Sequence, residues 1–399
     1  MKKQNKIFER ELKKALRGNK DSLNYIGSCY YNGRDINDEK IEQDFRSAYT
    51  FFREAEKKGS DKAKFNLGLM YKNGDYVEKS FEKFYSYMKP LAKENDFDAI
   101  NQILKYFIKY REKEGIDFNT KEVFSWFKKA AFHSQATNQC KYNLACMYLN
   151  GHGTNKSEEK FLEIVEPLVK KNHYYSIKAL ASFYVNGDEY GEKLKSKPVR
   201  LIKKLAYHKY ADNEDFYNYG FVKICGPKKF RDYNEGFEFF VKAVLNNHSV
   251  ACFEMGMILI GNDNYLDKWN ASSLDISKYF PKNFRLSGLE LLQNSANQNF
   301  LMAQLALYNF YIGALHAEIE FNRPNYSLAF KWCEQAALRG DKKSQHRLAK
   351  MYENGIGVVE NRTKSLYWMA QCCSDPIAFM LDVKEDDKFN KSLKDNKDG

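Results

Sequence analysis

The residues of this chain best suited to chemistry are seven histidines, eight cysteines and a His-x-Glu triplet, His316-Ala317-Glu318. That triplet opens a zinc-deaminase signature, in which the first histidine binds zinc and the glutamate shuttles protons. Such a site also needs a Pro-Cys-x-x-Cys pair downstream, and none follows. The histidines (133, 152, 173, 208, 248, 316 and 346) are scattered without ligand spacing. His133, His173 and His248 fall where second helices of a repeat described below should end, and a polar or cationic side chain suits that pole of the helix dipole. The cysteines (29, 140, 146, 225, 252, 333, 372 and 373) contain no paired CxxC with zinc spacing, and a chain this long does not need disulfides to fold. They read as reduced, buried thiols. No GxSxG, HExxH, GxxxxGK[ST] or GxGxxG is present. The expectation is a protein that is not an enzyme, with no catalytic, cofactor-binding or metal-binding residue and no cofactor.

A short recurring string organises the chain instead. Tyr-x-Asn-Gly occurs five times, beginning at Tyr30, Tyr71, Tyr148, Tyr184 and Tyr352. Four residues before each tyrosine stands an apolar residue followed by a small one: Ile26-Gly27, Leu67-Gly68, Leu144-Ala145, Leu180-Ala181 and Leu348-Ala349. Weaker copies then emerge at Ile103-Leu104, Tyr219-Gly220, Met255-Gly256 and Leu307-Tyr308. The first member of each pair advances by 41, 36, 41, 36, 39, 36, 52 and 41 residues. A period of about 40 is the signature of a stacked helical-repeat protein. In the second copy Ala63, Leu67, Met70 and Tyr71 share one helical face. The small residue after Leu67 should let a partner helix approach closely, and Asn73-Gly74 should end the helix with glycine in the left-handed conformation. A second helix follows, clearest over 47–58, 121–132, 327–338 and 363–372. One such hairpin cannot bury its apolar face alone, whereas stacked copies can. Length alone would suggest two or three domains; the repeat replaces that with one continuous solenoid.

The strings Ala337-Leu338-Arg339-Gly340-Asp341, Leu348-Ala349, Met351-Tyr352-Glu353-Asn354-Gly355-Ile356-Gly357-Val358 and Tyr367-Trp368-Met369-Ala370 resemble a Sel-one-like repeat (SLR), a relative of the tetratricopeptide repeat. The resemblance is strong in copies 1, 2, 4 and 9 and in the second helix of copy 8. It is weak in copies 3, 6 and 7, where Lys223 or Leu259 stands for the tyrosine, Leu104 for the small residue, and Tyr110 or Asn262 for the glycine. It implies an all-α fold, a right-handed superhelical solenoid of about nine helix-turn-helix units over residues 21–373. It further implies a non-catalytic scaffold or adaptor, bacterial, that holds a partner on the concave face formed by the first helices. For some bacterial members it implies immunity to a cognate toxin. The residue just before each apolar–small pair, or just after it, should face that groove. The candidates are Tyr25, Asn66, Gln102, Asn143, Asn218, Glu254 and Arg347, with Lys105 and Lys350; amides can bond both donors and acceptors of a peptide.

Charge and irregularities complete the expectations. The net charge is +12, which suits an acidic protein partner or nucleic acid. The lysines, however, are dispersed among acids and the aromatics sit mostly at repeat-core positions, so nucleic-acid binding is the alternative. A further alternative is an enzyme of the cysteine-rich SLR type, but those relatives are exported and carry a regular cysteine pair per repeat, which this chain lacks. Residues 1–20 hold eight basic against two acidic residues. Phe8, Leu12, Ala15 and Leu16 line one face there, as in a basic amphipathic helix that caps the solenoid. The long step predicts an insertion at about 262–284 in copy 7, with Tyr265, Trp269, Tyr279 and Phe280 as a recognition loop; a segment folded over its neighbours is the other reading. Residues 374–399 should form a C-terminal cap and polar tail. The longest apolar run, Met255 to Gly261, falls far short of the ~20 residues a spanning helix needs. Charged residues interrupt any signal-peptide core near the start. The expected location is the cytoplasm.

Overall fold

A computed structural model describes residues 2–36, 39–110, 120–185, 195–269, 284–314 and 324–372. Among these, twenty α-helices make up nearly all of the structure. The chain divides into two compact units, 1–177 and 178–399. The first contains α1 (Lys2–Leu16), α2 (Lys20–Asn32), α3 (Phe45–Lys57), α4 (Asp61–Asn73), α5 (Phe81–Lys93), α6 (Phe97–Tyr110), α7 (Thr120–Phe132), α8 (Asn138–Asn150) and α9 (Glu158–Lys170). Helix α10 (Tyr174–Val185) spans the division. The second unit continues with α11 (Ser196–Ala206), α12 (Asn213–Cys225), α13 (Tyr233–Leu245), α14 (Ser249–Leu259), α15 (Asp263–Lys268) and α16 (Phe284–Asn297). It ends with α17 (Leu301–Tyr311), α18 (Tyr326–Leu338), α19 (Lys342–Asn354) and α20 (Arg362–Cys372). The sequence does not announce two small additions. A two-stranded antiparallel ribbon, β1 (Arg34–Ile36) and β2 (Glu39–Ile41), lies between α2 and α3, and a 3-10 turn covers Lys228–Phe230.

The repeating string acts through three backbone devices. First, glycine ends the first helix: Gly74, Gly151 and Gly355 are left-handed, and their N–H groups donate to the carbonyls of Met70, Met147 and Met351. Second, the backbone carbonyl at the tyrosine position accepts from the residue that caps the next helix. Ser80 donates to Tyr71 at 3.0 Å, Ser157 to Tyr148 at 2.8 Å and Asn361 to Tyr352 at 2.9 Å. Third, that capping side chain turns back to accept from a backbone N–H of its own helix, as Ser80 does from Lys83 and Asn361 from Lys364; this satisfies an end group the helix leaves bare. The second device needs no particular side chain. In copy 6 the carbonyl of Lys223 accepts from Asp232 at 2.8 Å, so the geometry survives the loss of tyrosine.

The small residue does what its recurrence suggests. A Cβ added at Gly68 would lie 2.6 Å from the Met88 side chain, and one at Gly220 would lie 2.8 Å from the Gly236 carbonyl. At these two positions the helices of the hairpin meet too closely for a Cβ to be added without a shift. The buried cores follow the repeats. Ile26, Phe52, Leu67 and Met70 form one cluster of the first unit, and Phe84, Tyr106, Trp126 and Leu144 belong to another. In the second unit Phe237, Phe240, Met255 and Trp269 form one cluster, and Leu307, Trp332, Leu348 and Tyr352 belong to another.

Helix α1 packs on α2 through Phe8, Leu12 and Ala15, while Glu11 accepts a 2.6 Å bond from Ser22 Oγ. Leu16, expected on the same face, instead lies 77% exposed, because the helix ends there and the chain turns at Gly18. His248 falls just after the second helix α13, as its position in the repeat predicts. Its N–H closes α13 by donating to the Ala243 carbonyl at 2.9 Å, and its Nδ1 accepts from the Ala251 N–H at the start of α14.

Candidate functional site

The first helices of the first unit carry polar side chains bonded between α2 and α4, between α4 and α6, and within α8. Asn66 on α4 donates to Asn24 Oδ1 on α2 at 2.9 Å. Lys72 on α4 donates to Gln102 Oε1 on α6 at 2.8 Å. On α8, Gln139 donates to Asn143 Oδ1 at 2.8 Å. Asn66, Gln102 and Asn143 are all half-buried, so the row is ordered and still open to solvent. An amide offers two donors and an acceptor with two lone pairs, so each of these residues keeps bonding capacity after the bond described. Tyr25 packs against the cluster that contains Leu23 and Ile26, and Lys105 is exposed.

In the second unit the bond at Asn218 stays within one helix, as it does at Asn143. Asn218 donates to Glu214 Oε1 at 3.2 Å on its own helix. It also lines a cavity of about 40 Å³ with Lys178, Ala181, Ser182, Ile202, Leu205 and Asp215. That is room for about one water. Lys178 lies 2.7 Å from Asp212 and 3.5 Å from the buried Asp215, so the charges lining this space neutralise one another. Arg347 lies over the Tyr308 ring at 5.2 Å, and Lys350 pairs with Glu353 at 2.8 Å.

Two expected contact residues prove to be interior. Glu254 is only 4% exposed. It accepts from Trp269 Nε1 at 3.0 Å, from Tyr217 OH at 3.1 Å and from the Lys268 ammonium. Trp269, placed by its sequence position in a recognition loop, is fully buried and stacks on Phe240 with ring centroids 3.7 Å apart. Both assignments are corrected by the same fact. The chain after α14 folds back as α15 and drives its terminal tryptophan into the core, where the indole N–H needs an acceptor and Glu254 supplies it. Tyr265 is half-buried, with its ring edge-on to Phe253. Tyr279 and Phe280 lie outside the described residues, as does the segment 374–399.

Burial raises the thiols of Cys225 and Cys252 to about 11 and that of Cys333 to about 12, far from the thiolate a nucleophile needs. Burial also opposes the charge of Glu235, yet hydrogen bonds from Lys223, Tyr207 and Tyr219 outweigh it and bring its carboxyl down to about 2. That carboxylate ties α11, α12 and α13 together. Among the described residues no group of three metal-ligating side chains converges, and no helix is long and apolar enough to cross a membrane.

Comparison with known proteins agrees with this architecture. The Sel1 repeat model matches residues 20–60, 61–96, 139–160, 204–248, 321–341 and 342–374. The chain belongs to the Sel1 repeat family. Copy 6, weak at its tyrosine position, is among the matches. Copy 8 is matched through its second helix. A protective antigen present in uropathogenic Escherichia coli strains, displaying an SLR fold, is similar in structure with a TM-score of 0.50 and 20% identity, over 92% of this chain and 79% of that one. A Sel1 repeat protein from Oxalobacter formigenes aligns at 0.48 and 16% identity over 95% and 90%. An immunity protein from Pseudomonas aeruginosa aligns at 0.31 and 16% over 59% and 80%. No curated protein matches the sequence.

Proposed function

We propose that the chain is a non-catalytic protein-interaction scaffold that holds its partner on the polar face of its first helices. The observation that carries this reading is the row Asn24–Asn66 and Lys72–Gln102, with Asn143 on the next first helix. Side-chain bonds between successive first helices fix Asn66 and Gln102, a bond within α8 fixes Asn143, and all three still have donors or acceptors to spare. Ordering these side chains before binding reduces the entropy that a partner must overcome. A tandem repeat with its second helices packed against the first presents such a face again in each unit.

The experiment compares affinity purification of the tagged protein with that of the triple variant Asn66→Ala, Asn143→Ala, Asn218→Ala, read by quantitative mass spectrometry. These side chains are half-exposed, so truncation should leave the melting temperature within a few degrees, about the effect of 1 kcal/mol or less. The expected result is a protein enriched by the parent and depleted at least about tenfold by the variant, a loss of about 1.4 kcal/mol. Equal enrichment by a folded variant rejects the first-helix face as the contact.

A further inference from the structure

The densest positive charge outside the N-terminus lies on a second helix. No acidic residue occurs between Glu192 and Asp212, whereas seven basic residues do. Helix α11 sorts them cleanly. Pro198, Val199, Leu201, Ile202, Leu205 and Ala206 are buried, while Lys197, Arg200, Lys203 and Tyr207 are exposed at a spacing of three to four residues. They form one stripe along a helix of eleven residues, a length of about 16 Å. Among the described residues no carboxylate pairs with Arg200. Among the described residues Glu235 lies 3.9 Å from Lys203 and is already held by Lys223 at 2.8 Å and by the hydroxyls of Tyr207 and Tyr219, while Lys197 donates to Tyr184 OH at 2.6 Å. Glu238 and Asp232 are exposed on the side of α13.

We infer that this stripe on α11 docks an acidic protein segment, with carboxylates spaced along one face of a helix. The aromatic rings decide between this and single-stranded nucleic acid, which needs free ring faces for bases to stack on. Tyr207 has Lys203 over its ring at 5.7 Å and Phe239 edge-on at 5.1 Å, and Lys209 lies over Tyr210 at 4.7 Å. The rings serve as footings for the cations, and ammonium groups held above them present a row of donors to carboxylates. The inference shares with the scaffold reading only that the partner is a protein. It uses second-helix residues and none of the first-helix amides, so either can fail alone.

The test uses the full chain and a defined probe: an acetylated alanine-based peptide of about 16 residues with glutamate at every third or fourth position. The same peptide with glutamine is the control. Binding is read by fluorescence anisotropy at low and at physiological salt. The glutamate peptide should bind, weaken as salt rises, and lose at least about tenfold in affinity in Lys197→Glu, Arg200→Glu, Lys203→Glu. The neutral variant Lys197→Gln, Arg200→Gln, Lys203→Gln, which perturbs folding less, should lose affinity by a smaller factor in the same direction. A charge-matched variant elsewhere, Lys62→Glu, Lys128→Glu, Lys170→Glu, should lose less than about threefold. Equal loss in that control reduces the effect to net charge and overturns the proposal. So does absence of peptide binding at low salt, or tighter binding of an oligonucleotide or of anionic lipid vesicles through the same three residues.

Discussion

Copies 2 and 6 build the same helix crossing from different materials. In copy 2 the glycine of the first helix, Gly68, faces the end of a flexible side chain, Met88 Cε. In copy 6 Gly220 faces backbone, the Gly236 carbonyl and the Phe240 amide, while Gly256 in copy 7 meets both the Leu292 side chain and the Gly288 carbonyl. Copies 6 and 7 have thus lost the signature tyrosine but carry a second glycine on the opposing helix. Copy 7 adds an ionic core absent from copy 2: Glu254 is bound by Tyr217, Trp269 and Lys268. A repeat can therefore drift in its recognisable side chains provided that backbone approach and polar satisfaction are maintained by other means.

The largest expected effect breaks copy 7. Glu254→Ala strands an indole N–H and a tyrosine hydroxyl in the core beside an ammonium group. It should cost about 3–5 kcal/mol, as for removal of one partner of a buried pair, read from the denaturant midpoint. Glu254→Gln keeps an acceptor and should cost less. Next comes the crossing itself. Gly220→Ala presses a methyl onto backbone and should cost about 1–3 kcal/mol, whereas Gly68→Ala asks that the Met88 side chain move and Tyr87 give slightly, and should cost less, about 1 kcal/mol. Equal costs would show that the two crossings are not different in kind.

A pH series sharpens the same contrast. The Glu235 carboxyl sits at about 2 in the folded chain against an ordinary value of 4.5. A depressed carboxyl contributes stability that is full above the unfolded value and is lost as pH falls through the folded one. The stability gap between the parent and Glu235→Gln should therefore be full at neutral pH and narrow between about 4.5 and 2. A gap that is constant over that window removes Glu235 as the ionic tie of copy 6. The smallest effect belongs to the regular copies. Lys83 and Lys364 lie over Tyr71 and Tyr352 at 4.9 and 5.1 Å. Replacing either with alanine should cost about 0.5–1 kcal/mol by chemical denaturation, as for a cation–π contact at an exposed site.

The repeat frame, the left-handed glycines and the close approach at Gly27, Gly68 and Gly220 were all legible in the sequence, because each depends on residue type at a fixed offset. The fate of Glu254 and Trp269 was not. Their contact joins the repeat to its own insertion, so no periodic frame predicts it, and a tryptophan in a long connection reads equally as loop or core. The same frame placed Asn66, Gln102 and Asn143 on a shared face but said nothing of the bonds between neighbouring copies. The basic stripe of α11 had a signal that the repeat frame overlooks: seven basic residues with no acid among them. Net charge averaged over the chain conceals such local density.

The central claim is that the first helices, and not the second, present the partner-binding face in the first unit. Site-specific photo-cross-linking in cells tests it even while the partner is unidentified. A photoreactive residue is placed at Asn66 or Asn143, on first helices, and in parallel at Lys128, exposed on second helix α7. The account predicts a discrete higher-mass adduct from Asn66 and Asn143 and none from Lys128. An adduct from Lys128 alone would contradict it.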